Sequence, residues 1–342
     1  MTAFATGADR RFGVLVGCML AAVMAASMLS GIQVGSGAGD ASPVAAARVL
    51  RTAMPAQAAE PGSVLEPLLA TTLGQRFPSL RSFVAAEPVI AHSQIVSYYG
   101  NPYTADMGIL GAMDPEVWSG LLRYQAARYD KLNGATGVIP AVHLVYGVAQ
   151  YHPTDNGRYL QYVADEDVED MIAFTAERDM LLFLDIQIGR SSVRDELVRV
   201  LPYLRNPHVH LAIDPEFAVA DDEVPGRTLG SVSAADIDVA QAALQRLVDE
   251  TGLPPKLLIV HQFTDTMLTN SAGIRPYPDV DLIINFDGFG PSDVKRVSYE
   301  RFAGRPYASH GGIKLFPGHD ADLMSEQDVL SLEPRPAVVI YQ

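Results

Sequence analysis

The chain has 342 residues, of which 48% are hydrophobic and 19% are charged, so it can form a large apolar core. Its formal net charge of −15 argues against a nucleic-acid partner held through phosphate contacts. The single cysteine, Cys18, lies near the N-terminus, so we expect no disulfide in the folded domain.

The first 39 residues have the features of an export signal. Arg10 and Arg11 form a short basic region, and residues 12–39 carry no charge. This pattern predicts a signal peptide or, since the apolar stretch is long enough to span a bilayer, a signal anchor. The sequence LVGC around Cys18 resembles a bacterial lipobox, so lipidation is a third alternative. We therefore expect an exported protein, secreted or cell-envelope associated, that contacts a membrane only through this segment.

Residues 40–62 are rich in alanine, proline and small polar residues, which predicts a flexible linker before a folded domain at residues 63–342. The domain begins with apolar residues at helical spacing over residues 64–86. Strand-like apolar runs and amphipathic helical runs then alternate. We predict strands at residues 89–99, 137–150, 180–188, 208–216, 256–263, 279–287, 309–316 and 336–342.

Helix-start signals precede several of the amphipathic runs. Asp114 followed by Pro115 predicts an N-cap and a first turn, and Ser233 with Asp236 resembles a capping box. These signals and the helical periodicity predict helices at residues 114–132, 165–179, 191–204, 233–252, 291–302 and 325–332.

Eight near-continuous apolar strands alternating with helices predict an α/β fold of the (β/α)8 TIM-barrel type. The competing architecture is a doubly wound open sheet, but no glycine-rich dinucleotide fingerprint follows an early strand here. The last predicted strand reaches residue 342, so we expect the barrel to lack its last helix. We expect the helix at residues 64–86 to pack in its place.

Catalytic residues of such barrels lie at the carboxyl ends of the strands. Polar side chains that end buried strands are costly unless they are paired or functional, and most of the eight strands end in one. We expect the following residues to bind substrate at this end: Tyr98, Tyr99, Gln187, His261, Gln262, Asn285, Lys314 and Tyr341.

The sequence Asp214-Pro215-Glu216 ends the fourth predicted strand. Carboxylates two residues apart on a strand point to one face, and crowding them raises the pKa of one. A carboxylic acid and a carboxylate side by side are what glycoside hydrolysis requires, although the segment can also be read as a solvated turn. Asp185 and Asp287, on the third and sixth strands, are candidates for the second carboxylate.

The Asp-x-Glu at the end of strand four resembles the barrel glycosidases that include the chitinases and the N-acetylmuramidases. The resemblance implies that Glu216 is the general acid and that Asp214 orients the acetamido group that attacks in substrate-assisted cleavage. It covers the architecture and these two residues. Ala212 and Tyr341 stand where the chitinase pattern has an aspartate and a tryptophan.

The resulting functional prediction is an exported glycoside hydrolase acting on envelope or extracellular polysaccharide, with a poly- or oligosaccharide partner and no cofactor. Its catalytic residues are Glu216, Asp214, Asp185 and Asp287. Two alternatives stay open: a phosphodiester or ester hydrolase whose acids gather Mg²⁺ or Ca²⁺, and a non-catalytic glycan-binding envelope protein.

The histidine pattern does not predict a metal centre. No zinc-type spacing occurs, so we expect no preformed transition-metal site. His143 lies in mid-strand, where it fills a barrel layer, and His261 is a base, a ligand or a core histidine.

Overall fold

The computed structural model of the protein describes residues 88–342. The expected signal segment, the linker and the helix at residues 64–86 lie outside the described residues. Within residues 88–342, no helix combines the length and the apolar character that a bilayer-spanning segment requires.

The strands include all eight that the sequence predicts, and three short additional ones. In chain order they are β1 (Ser93–Gly100), β2 (Gly137–Ala149), β3 (Leu160–Tyr162), β4 (Leu181–Gln187), β5 (Val209–Asp214), β6 (Val232–Ser233), β7 (Lys256–Gln262), β8 (Leu268–Thr269), β9 (Val280–Phe286), β10 (His310–Leu315) and β11 (Val338–Tyr341).

Eight of these strands are parallel and close on themselves in the order β1-β2-β4-β5-β7-β9-β10-β11, with β11 pairing back to β1. Helices connect most successive barrel strands, as a parallel ladder requires. The predicted (β/α)8 barrel is therefore confirmed. The helices are α1 (Ile109–Ala112), α2 (Pro115–Asp130), α3 (Asp165–Glu177), α4 (Val193–Val200), α5 (Ala234–Thr251), α6 (Ser292–Ala303) and α7 (Glu326–Leu330).

The helix-start signals act as predicted. The Asp114 carboxylate accepts a hydrogen bond from the Glu116 backbone N–H at 2.9 Å and caps α2. Ser233 and Asp236 form a reciprocal capping box at the start of α5. Side-chain oxygens thus satisfy backbone donors that the first turn of each helix leaves free.

Some local expectations are wrong. The segment Val89–Ala91 forms a 3₁₀ turn before β1, and Pro215–Phe217 forms another directly after β5. Pro215 has no backbone N–H for the next ladder bond, so β5 ends at Asp214 and Glu216 lies beyond the strand. The short β3 pairs antiparallel with β2, and β6 pairs with β8 outside the barrel.

The hydrophobic core has two layers. The larger layer lies between the strands and the helices, and the smaller one fills the barrel interior. On β4, the interior residues Leu181 and Phe183 belong to the smaller layer, and the residues that follow with the same alternation are Asp185 and Gln187. The barrel interior therefore changes from apolar to polar towards the carboxyl ends of the strands.

Candidate active site at the carboxyl end of the barrel

Three fully buried side chains from different strands meet inside the barrel: His143 of β2, Asp185 of β4 and His261 of β7. His143 Nε2 lies 3.2 Å from His261 Nε2. Asp185 Oδ2 lies 3.3 Å from the first of these nitrogens and 3.4 Å from the second. Three potential metal-ligand atoms thus form a nearly equilateral triangle, and we call these three residues the His–Asp–His cluster.

His143 is held by aromatic packing. Its ring centre lies 5.0 Å from that of Tyr99 and 5.5 Å from that of Phe183, with which it stacks. Its Nδ1 has no hydrogen-bond partner among residues 88–342. Burial lowers the pKa of His143 to about 4, although Asp185 favours the charged form, so the ring is neutral at pH 7.

His261 is oriented by a carboxylate on its other side. Its Nδ1 lies 2.9 Å from Asp287 Oδ1, and the Lys314 ammonium donates to Asp287 Oδ2 at 2.7 Å. Asn285 also donates its amide to Asp287. Burial opposes a charge on His261, but Asp287 and Asp185 outweigh it and raise the pKa of the ring to about 10.

The two carboxylates beside His261 are anions. Burial raises the pKa of Asp287, but His261 and Lys314 outweigh this effect and lower the pKa to about 2. For Asp185, burial is likewise outweighed by His261 and His143, which hold its pKa well below the usual range. Among the described residues, neither Asp185 oxygen has a well-aligned hydrogen bond. A buried anion of this kind requires a cationic neighbour, and the His261 ring, with Nε2 3.4 Å from Asp185 Oδ2, supplies one.

Tyr99 covers one side of this network. The Lys314 ammonium lies 3.8 Å from the centre of the Tyr99 ring, a cation–π contact. Burial, together with Asp185 and other carboxylates, raises the pKa of Tyr99 well above its ordinary value. The tyrosine therefore remains a neutral hydroxyl.

Asp214 and Glu216 form a second pair of groups at this end of the barrel. Gln187 donates to Asp214 Oδ2 at 3.3 Å and accepts from the Ala149 backbone N–H at 2.8 Å, which fixes the amide orientation. Asp214 Oδ1 in turn accepts from the Glu216 backbone N–H at 3.1 Å. The Asp214 side chain is thereby anchored where strand β5 ends.

The environment separates the protonation states of this pair. Burial, with Asp185 nearby, raises the pKa of Asp214 to about 6. Burial, with Asp214 and Asp287 nearby, raises the pKa of Glu216 to about 8. The pKa of Glu216 is raised further than that of Asp214, so Glu216 is the group of the pair that holds its proton to higher pH, as the acid of an acid–base pair does.

Most of the expected site residues therefore lie together. Glu216 lies at the edge of this group and is only partly buried. Their roles in catalysis and substrate binding stay predictions. The residues brought together are Tyr99, Asp185, Gln187, Asp214, His261, Asn285, Asp287 and Lys314.

Three expected substrate-binding residues point elsewhere. Tyr98 and Tyr341 belong to the outer core layer, where their rings meet edge to face and the Tyr341 hydroxyl lies 2.9 Å from that of Tyr129 on α2. Gln262 alternates with His261 and donates to the Thr264 carbonyl oxygen at 3.0 Å. The three side chains lie on this side because adjacent strand residues face opposite sides of the barrel wall, and their neighbours Tyr99, His261 and Ile340 face the interior.

His143 is the member of the cluster that the sequence did not single out as a site residue. The sequence did contain a signal: residues two apart on a strand face the same side, so His143 faces the same side of β2 as Ile139 and Ala141. Both of those residues belong to the interior layer. Its position in mid-strand had suggested a purely structural role.

Comparisons with known proteins give little similarity. No protein-family model matches the chain, and no curated protein does. Among solved structures, a sugar phosphate isomerase/epimerase from Parabacteroides distasonis matches at 11% identity, covering 75% of this chain and 88% of that one, with a TM-score of 0.27. The barrel assignment rests on the strand pairing and not on this likeness.

The expected glycoside hydrolase function is wrong. The site geometry gives a physical reason: Asp185 lies between two histidines, and Asp287 is bound by His261 and Lys314. Neither is a free second carboxylate to act with Glu216, as the two-carboxylate mechanism requires.

Proposed function

We propose that the protein is an enzyme that transfers a proton at the carbon next to a carbonyl group of a small, uncharged, hydroxylated substrate. This is the reaction class of aldose–ketose isomerases and epimerases. The observation that supports it most is that the Asp214 carboxylate is fixed at the end of β5 by Gln187 and by the Glu216 backbone N–H, with a second carboxyl group, that of Glu216, two residues further on.

The two groups suit the two proton transfers of such a reaction. Asp214, as the carboxylate, takes the proton from carbon, and the electron pair of the broken C–H bond forms the double bond of an enediol. Glu216, as the acid, donates its proton to the carbonyl oxygen. Return of a proton to the adjacent carbon, with loss of one from oxygen, completes an isomerisation without any oxidant.

The charges around the pair favour an uncharged substrate. Lys314 is bound to Asp287 at 2.7 Å, and both side chains are almost fully buried. This ammonium is therefore neutralised and gives little attraction for a phosphate group. Asp185 and Asp287 are balanced in turn by His261 and Lys314, so the side-chain charge that remains is the negative charge of Asp214, which repels anions.

The test is whether the protein catalyses exchange of the substrate hydrogen next to the carbonyl with solvent deuterium. The purified protein is incubated in D₂O with a panel of aldoses, ketoses and hydroxyketones, and deuterium incorporation next to the carbonyl is followed by NMR. We expect incorporation, and a loss of about 10²–10⁴-fold in its rate in Glu216→Gln, since the amide cannot donate the proton.

The control is Glu250→Gln, the same substitution at an exposed position near the end of α5, on the opposite side of the barrel. It should exchange at the wild-type rate. Exchange at the wild-type rate in Glu216→Gln, or no exchange by the wild type with any member of the panel, would contradict the proposal.

A further inference from the structure

We infer that the His–Asp–His cluster is a binding site for one divalent transition-metal ion, with Zn²⁺ as the best fit. The inference rests on the positions of His143 Nε2, Asp185 Oδ2 and His261 Nε2. It does not depend on the proposed reaction, because the experiment that tests it measures metal binding and not catalysis.

The spacing of the three atoms matches a coordination shell. Their separations are 3.2, 3.3 and 3.4 Å. Zinc bonds to imidazole nitrogen and carboxylate oxygen are about 2.0–2.1 Å, so the ligands of a tetrahedral zinc ion lie about 3.3 Å apart. A single ion can thus reach all three atoms at bonding distance without movement of the backbone.

The polar atoms of the cluster have few well-aligned hydrogen bonds, and a divalent ion can take the place of a proton between them. Asp185 is fully buried, and among residues 88–342 neither of its oxygens has a well-aligned hydrogen bond, although the Nε2 atoms of His143 and His261 lie 3.3 and 3.4 Å from Oδ2. Two imidazole nitrogens face each other at 3.2 Å, where their lone pairs repel unless a proton or a metal ion lies between them. A divalent ion satisfies the carboxylate and both nitrogens at once.

The surroundings of His261 are those of a metal-bound histidine. Its Nδ1 lies 2.9 Å from Asp287, which Lys314 and Asn285 also contact. A carboxylate that accepts the Nδ1 proton fixes the tautomer in which the Nε2 lone pair points at the metal. His143 lacks such a partner and is oriented instead between the rings of Tyr99 and Phe183.

The donor set indicates which ion binds. Two imidazoles and one carboxylate suit zinc and its neighbours among the transition metals, whereas Mg²⁺ and Ca²⁺ prefer oxygen ligands throughout. Three protein ligands also leave a coordination position for an oxygen of water or substrate, as in catalytic zinc sites. The sequence-based expectation that a transition-metal site is absent thus gives way to this inference.

The first experiment measures binding to the full chain after treatment with a chelator. Zn²⁺ and, separately, Co²⁺ are titrated, with bound metal measured by mass spectrometry and cobalt coordination by visible absorption. We expect about one equivalent per chain, an intense tetrahedral cobalt spectrum, and a rise in Tm of roughly 5–10 °C at Zn²⁺ about 100-fold above Kd.

Variants then assign the ligands. In His143→Gln and Asp185→Asn we expect zinc affinity to fall by at least about 100-fold. Loss of a group that only hydrogen-bonds to a ligand lowers metal affinity by up to about 100-fold, and loss of a ligand itself should cost more. Circular dichroism establishes that each variant is folded. The control is His310→Gln, which removes a half-buried imidazole at the start of β10, and it should bind as the wild type does.

Asp287→Asn gives a second route if either ligand variant fails to fold. This change leaves all three ligand atoms in place and should weaken zinc binding by about 10–100-fold. The inference is overturned if the chelated wild type binds neither Zn²⁺ nor Co²⁺. It is equally overturned if folded His143→Gln or Asp185→Asn binds zinc as tightly as the control.

Discussion

Burial determines the charge of ionisable side chains at both ends of the barrel. Glu216, at the carboxyl end, has its pKa raised to about 8 by burial and by neighbouring carboxylates. Lys256, at the start of β7, is fully buried, and burial lowers its pKa to about 7. Its ammonium donates to the carbonyl oxygens of Asn206 and Val209 at 2.8 and 3.0 Å. Both groups thus cost folding free energy at neutral pH.

Lys256 gives a prediction for the dependence of stability on pH. Because its pKa is lower in the folded than in the unfolded chain, the unfolded chain binds more protons between pH 7 and 10.5. The Lys256 contribution to stability therefore rises with pH in this window, by up to about 1.4 kcal/mol per pH unit, and is constant below pH 7.

Lys256→Met removes this contribution. Urea denaturation of the wild type and the variant is measured at pH 7 and pH 9. The free energy of unfolding of the variant relative to the wild type should fall by at least about 1 kcal/mol between the two pH values. Lys131→Met, at an exposed lysine after α2, should show no such change. If the difference in free energy of unfolding between Lys256→Met and the wild type did not change with pH, the pKa of Lys256 would not be lowered in the folded protein.

At the scale of elements, the parts of the fold that local sequence determines were predicted best. The caps at Asp114 and Ser233 lie where the sequence places them, because capping involves residues only two or three apart. All eight barrel strands were found with ends within four residues of those observed. The short β3, β6 and β8 were missed, since each consists of two or three residues held by pairing with distant segments.

The capping box of α5 gives a prediction at this scale. Ser233→Ala removes the hydroxyl that accepts from the Asp236 backbone N–H, so the first turn of an 18-residue helix loses its cap. We expect a loss of about 1 kcal/mol in the free energy of unfolding, or about 2–4 °C in Tm. Scanning calorimetry measures the change.

The matched control is Ser298→Ala, which makes the same substitution in the interior of α6. Alanine has the higher helix propensity there, so Tm should stay unchanged or rise slightly. Equal losses in both variants would show that the capping box contributes nothing specific.

At the scale of the whole molecule, the barrel was predictable and its interior was not. Strands covered on both faces are apolar throughout, so their sequence does not show which alternation points inward. Tyr98 was therefore expected in the site alongside Tyr99, and Gln262 alongside His261, although only Tyr99 and His261 belong to the polar end of the interior. The meeting of His143 with Asp185 and His261 depends on how three strands align around the closed barrel.

The most direct test of the account is the ionisation of Glu216 at the barrel mouth, measured by carbon NMR of the labelled side-chain carboxyl in chelator-treated protein. Assignment uses the resonance lost in Glu216→Gln. We predict a titration midpoint near pH 8, because burial and the neighbouring carboxylates oppose the anion. A midpoint near that of an exposed glutamate, about 4.3, would contradict it and would remove the proton donor from the proposed reaction.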